Sequence, residues 1–197
     1  MSQKTRALRA LAELALSARY DDVVYPSIDA LSDRLDIPRS TVGRAVHTLC
    51  QRGAAEWTSG TRELILCSKS RAVDSYKALW DKGSALIGYT DTTDAEKLVA
   101  AKLAVWGGHR AAVEHLGGYV AASPYTASIY VLENTCVNVS AHGDVPVYIL
   151  DDSELPEGDV VSLTQTLTEL FNSPGFVSHE FYEAMWRKYV AGAPSGH

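Results

Sequence analysis

The chain has 197 residues, 46% hydrophobic and 21% charged, with a formal net charge of −6 and an isoelectric point near 5.5, a composition that excludes a disordered or fibrous chain and leaves room for two small cores. No apolar run reaches the roughly 18 residues of a membrane span, and the N-terminus lacks the charged-then-apolar pattern of a secretory leader, so the expected location is the cytoplasm. Cys50, Cys67 and Cys136 are odd in number and scattered, and the six histidines show no HxxxH or HxH pairing, so the cysteines are expected reduced and mostly buried, with no disulfide framework, metal or other cofactor.

Leu8, Leu11, Ala12 and Ala15 recur at helical spacing and predict a first amphipathic helix, with Lys4, Arg6 and Arg9 as its basic side chains. Ser27 is placed to cap a second helix whose buried stripe is Ile28, Leu31 and Leu35, and Asp36-Ile37-Pro38 breaks it. From Arg39 to Leu49 the spacing predicts a third helix. Val42, Ala45, Val46 and Leu49 form its apolar seam, while Ser40, Gly43, Arg44, His47 and Gln51 share the opposite face. Gly53 is its stop. A strand Ala55-Glu56-Trp57, a tip running from Thr58 to Arg62 and a return strand Leu64-Ile65-Leu66 follow. Two short helices on a brief turn make a helix-turn-helix, and the trailing hairpin makes it a winged helix, in which the second helix of the pair enters a DNA major groove.

The run from Tyr25-Pro26-Ser27 to Gly53-Ala54-Ala55-Glu56 resembles the winged-helix domains of bacterial transcriptional regulators. Charge distribution agrees with a DNA-facing N-terminal module. Residues 1–72 carry 11 Lys or Arg against 8 Asp or Glu, and residues 73–197 carry 7 against 16. Arg44 and His47, with Ser40 and Thr41 at the helix start, are the expected contacts to base edges, whereas Arg39, Thr41, Thr58, Ser59, Thr61 and Arg62 are expected more often at phosphates. Lys4, Arg6 and Arg9 would add backbone contacts. A single winged helix binds weakly, so useful specificity calls for a homodimer or two copies on repeated operator half-sites.

A linker at Ser68-Lys69-Ser70 divides a domain over 1–70 from an α/β domain over 71–197. In the second, a helix is expected from Arg71 to about Lys82 with Val73, Tyr76 and Trp80 on one side, then a loop holding Gly83 and Gly88. Thr93 and Glu96 form a capping box for a helix running to Val105. Gly107-Gly108 opens a short helix closed by Gly117-Gly118. Glycines there admit either a phosphate at the helix N-terminus or close packing, and without the lysine of a phosphate-binding loop, packing is the expected use. Strands are expected over 127–131 and 145–150, followed by an acidic turn from Asp151 to Asp159. Leu163, Leu167, Leu170 and Phe171 line the next helix, stopped by Asn172-Ser173-Pro174-Gly175. Tyr182, Met185, Trp186, Tyr189 and Val190 form a core-facing stripe on the last.

This order of a Gly-Gly turn into a short helix, two strands, and the helix and break from Val161 to Gly175 resembles the second domain of AbiEi-type antitoxins of type IV toxin-antitoxin systems. The resemblance implies an α+β chain in which a winged helix precedes a non-catalytic nucleotidyltransferase-like fold. It also implies a repressor of its own operon, whose partners are operator DNA and a nucleotidyltransferase-like toxin. No enzyme activity is expected. The strand after Gly107-Gly108 lacks the alternate carboxylates that a Mg²⁺ site needs, Asp151-Asp152 is adjacent rather than alternate, and Ser123, Ser128 and Ser140 lack a GxSxG context. Nothing in the sequence ties His109 or His115 to a nucleophile. The alternatives are a stand-alone regulator whose C-terminal domain senses a small molecule or mediates dimerisation, and a winged helix that contacts only protein.

Overall fold

The computed structural model describes residues 3–17, 23–58, 63–118, 127–150, 152 and 154–191. The chain is mixed α/β, with helices and two separate sheets. It divides into two compact units, Met1–Trp80 with Tyr189–Ala191, and Asp81–Lys188 with Gly192–His197.

The first unit contains α1 (Gln3–Ser17), β1 (Val23–Tyr25), α2 (Ile28–Leu35), α3 (Arg39–Gln51), β2 (Ala55–Trp57), β3 (Leu64–Leu66) and α4 (Lys69–Lys77). The Ser27 hydroxyl accepts from the Ala30 amide at 3.1 Å and starts α2. Asp36, in the left-handed region at φ 49°, ends it. The Ile37 amide returns to the Ser32 carbonyl, the Ser32 hydroxyl donates to the Ile37 carbonyl at 2.7 Å, and Ile37 is buried, so the α2–α3 turn is pinned from both sides. Leu8, Leu11, Ala12 and Ala15 of α1 join Leu31, Val42, Ala45, Val46, Leu49, Leu64 and Leu66 in one core.

Two features differ from expectation. β1 pairs antiparallel with β3, which also pairs with β2, giving the order β1-β3-β2. Three residues are too few to show a strand period, so only pairing reveals β1. The division falls after Trp80 rather than after residue 70, because Ala72, Tyr76 and Trp80 are buried in the first core. A polar Ser-Lys-Ser link marks where α4 begins and not which core its apolar face joins.

The second unit runs α5 (Lys82–Ala85), β4 (Leu86–Thr90), α6 (Thr92–Ala100), β5 (Ala104–Gly107), α7 (Gly108–Leu116), β6 (Ala127–Leu132), β7 (Val145–Leu150), α8 (Leu163–Phe171) and α9 (Phe176–Met185); a π-helical turn Trp186–Val190 follows, of which Tyr189 and Val190 count with the first unit. Its sheet has the order β4-β7-β6-β5; β6 and β7 are parallel and the outer pairs antiparallel. Alternate residues feed two cores: Ala104, Trp106, Ile129, Val131, Val145 and Val147 on one face, Val105, Tyr130, Tyr148 and Leu150 on the other. A sheet buried on both faces reads as unbroken apolar runs, which hides its strand period.

The expected loop around Gly83 and Gly88 contains β4, and the expected helix to Val105 ends at Ala100. Lys102 at φ 58° turns the chain, and Ala104–Gly107 pair with β6 from Ala104↔Val131 to Gly107↔Ser128. The cap of α6 is Asp91, whose carboxylate accepts from the Asp94 amide at 2.8 Å, in place of Thr93. In α8 every residue from Leu163 to Leu170 is buried, while Phe171, expected in the core stripe, is 57% exposed. Cys50 and Cys67 are half-buried; Cys136, expected buried, is exposed. Among the described residues no helix is long and apolar enough to cross a membrane.

Candidate nucleic-acid interface

α3 starts directly after Pro38, whose carbonyl accepts from the Thr41 and Val42 amides at 2.8 and 3.1 Å. Its two faces separate cleanly. Thr41, Val42, Ala45, Val46 and Leu49 are buried; Arg39, Ser40, Arg44, His47 and Gln51 are exposed. That exposed face contains no carboxylate.

Thr41 departs from its expected place at the DNA. It lies one turn before Ala45 and two before Leu49, hence on the edge of the buried stripe, and is 1% exposed. Its hydroxyl accepts from Arg44 Nη2 at 3.3 Å, and Arg44 Nε donates to the Ser40 carbonyl at the same distance. Arg39 Nε meets Asp29 Oδ1 at 2.8 Å in an ion pair open to solvent on both sides. Such an exposed pair contributes at most about 1 kcal/mol and exchanges readily for a phosphate.

At the hairpin, the Thr58 amide donates to the Glu63 carbonyl at 3.0 Å, and the Glu63 amide donates to the Thr58 hydroxyl at 3.1 Å. Thr58 is therefore half-buried and engaged in closing the hairpin. Ser59, Thr61 and Arg62 lie outside the described residues. On α1, Lys4 and Arg6 are half-buried, whereas Arg9 is 6% exposed, too enclosed to serve as the phosphate contact expected of it.

The second unit resolves the use of the Gly-Gly turn. The Gly108 amide, first in α7, donates to Glu169 Oε2 at 2.8 Å. Tyr130 Oη donates to the same oxygen at 3.1 Å, and Ser128 Oγ donates to Oε1 at 2.7 Å. Gln165 Nε2 donates to Tyr130 Oη at 3.0 Å. Glu169 is 3% exposed, so its carboxylate fills the anion position at the positive end of α7 from inside the fold. Gly107 is required for space: a Cβ there would lie 2.5 Å from Ser128 Oγ and 2.7 Å from Glu169 Oε2. Gly108 is required for its φ of 59°. Sequence reading missed Glu169 because its donors sit on β6 and α7, about 40 to 60 residues away. The signal available was a run of polar residues, Thr164, Gln165, Thr166, Thr168 and Glu169, inside an otherwise apolar helix.

Burial also governs the neighbouring groups. Tyr148, ring to ring with Tyr130 at 5.3 Å, has its phenol pushed far above the usual range, first by burial and then by the Glu169 charge. His109 Nε2 lies 2.9 Å from Ser178 Oγ, and burial lowers its pKa. The spacing is that of a base and a hydroxyl nucleophile, yet both residues are 3% exposed, and the contact ties α7 to α9. A cleft of about 440 Å³ on this unit is lined by Thr92, Arg110, Val113, Ala127, Asp144 and Val145.

Comparison of the chain with protein-family models, with curated proteins and with solved structures found no match.

Proposed function

We propose that the first unit is a winged helix that binds double-stranded DNA and that the protein is a sequence-specific transcriptional repressor. The supporting observation is α3: a helix docked by one face on a closed core, presenting on the other Arg44, His47 and Ser40 with no carboxylate to repel phosphate. In this reading β2 and β3 are the wing and α3 is the recognition helix. The antitoxin role, the nucleotidyltransferase-like character of the second unit and the pairing of two copies on repeated half-sites rest on the resemblance in element order and on the weakness of a single module.

The test is binding of the purified protein to its own upstream DNA and to a scrambled duplex across a salt series. Non-specific binding falls steeply with salt on both duplexes, while specific recognition keeps a gap of roughly 10³ or more. Equal binding to the two at every salt concentration refutes recognition of that promoter.

The cleft on the second unit favours one further reading, control by a small molecule. Its volume lies within the roughly 300–1,000 Å³ of ligand sites. A metabolite that raises the melting temperature and changes operator affinity together would establish it.

A further inference from the structure

Resting on the DNA-binding reading, we propose that the base read by α3 is guanine, that Arg44 reads it, and that Thr41 is a positioning residue aiming the Arg44 guanidinium. The chemistry of the exposed face restricts the choice. Cytosine is read by a carboxylate accepting from its amino group, and α3 carries no Asp or Glu. Adenine is read by a bidentate Asn or Gln. The amide on α3 is Gln51, its last residue, seven positions beyond Arg44 and so about 10 Å farther along the axis, whereas recognition helices contact bases through their N-terminal part. Arginine supplies the planar fork that matches guanine O6 and N7 together.

Of the two arginines in the first two turns, Arg39 opens the helix beside Asp29 at 2.8 Å, in an exposed pair suited to exchange for a backbone phosphate. Arg44 makes no ion pair among the described residues. Its partners are neutral oxygens of its own helix, the Ser40 carbonyl and the Thr41 hydroxyl, both at 3.3 Å. These bonds are long and draw on Nε and Nη2. They orient the guanidinium plane and leave Nη1 and the second hydrogen of Nη2 for the two base acceptors, which lowers the ordering cost of binding. Thr41, 1% exposed, is the anchor, so its hydroxyl reaches the base only through Arg44.

The test is selection of bound sequences from a random duplex library by wild type, Arg44→Ala, Thr41→Val and Thr41→Ser, followed by titration of the enriched duplex with 7-deazaguanine replacing each guanine in turn. The expected result is an enriched site with a guanine at which loss of N7 weakens wild-type binding roughly 10- to 100-fold. Arg44→Ala, which removes the donors but leaves the helix intact, should erase that discrimination while the remaining basic residues retain salt-dependent binding. Thr41→Val should reduce it several-fold, and Thr41→Ser should restore it; a merely structural threonine would change overall affinity without changing the guanine ratio. An enriched site indifferent to guanine, or a guanine preference that survives Arg44→Ala, overturns the inference and leaves DNA binding standing. Wild-type discrimination retained in Thr41→Val overturns the positioning role alone. Enrichment of no sequence at any salt concentration overturns the DNA reading itself.

Discussion

Removing the Glu169 carboxylate is expected to cost the second unit a large share of its stability. In Glu169→Ala three donors lose their acceptor: the Gly108 amide at 2.8 Å, Ser128 Oγ at 2.7 Å and Tyr130 Oη at 3.1 Å. A buried donor left unsatisfied costs about 1–3 kcal/mol. The one deleted methylene adds about 0.8 kcal/mol. Reorientation of the two hydroxyls recovers part of this, so the expected loss is about 4–6 kcal/mol, against a total of about 5–15 for a typical protein. Glu169→Gln keeps an acceptor for the Gly108 amide and the tyrosine but converts charge-assisted bonds to neutral ones, and should cost about 1–3 kcal/mol. Urea denaturation followed by near-ultraviolet circular dichroism, fitted separately for each transition, measures both. A Glu169→Ala loss below about 1.5 kcal/mol, or equal losses for Ala and Gln, would refute the view that three satisfied donors at the α7 N-terminus hold this unit together.

Gly107→Ala should lower stability by about 2–4 kcal/mol, because its Cβ meets Ser128 Oγ and Tyr130 Cε2, both at 2.5 Å, within a packed network; thermal unfolding within a degree of wild type would contradict this. Gly43→Ala should raise stability by about 0.5–1 kcal/mol, since a Cβ in α3 has only Ile28 Cδ1 at 3.7 Å, yet weaken DNA binding if this face lies against a groove; equal or tighter binding counts against the interface. Ser27→Ala removes the acceptor for the Ala30 amide and should cost about 1 kcal/mol in the first unit's transition. His109, whose folded pKa is lowered by burial, binds its proton less readily folded than unfolded, so the stability it contributes is complete above the unfolded value near 6.5 and is lost as pH falls below it towards the depressed folded value. The urea midpoint of His109→Gln should accordingly fall less than that of wild type between pH 7.5 and pH 5.5, and parallel curves would contradict this.

The sequence by itself determined the elements whose side chains alternate between one core and water. The stripe of α1, the Ser27 cap, the buried seam of α3, strands β2 and β3, and the Asn172–Gly175 break are all found where periodicity and turn residues place them. The exposed side chains Ser40, Arg44 and His47 follow from that seam, because a helix that buries one stripe fixes what the opposite stripe shows. Tertiary structure decided what depends on partners distant in the chain. β1, β4 and β5 exist through ladders to β3, β7 and β6: the three residues of β1 are too few to show a period, and β5, buried at all four positions, shows none. α4 joined the first core because of which apolar surface received Tyr76 and Trp80. Thr41, a candidate contact, lies in the buried seam because one turn of helix set it beside Ala45. The Gly-Gly turn, ambiguous as a sequence between an external anion and close packing, was settled by a carboxylate about 60 residues away, since a helix N-terminus accepts whichever negative group the fold brings to it.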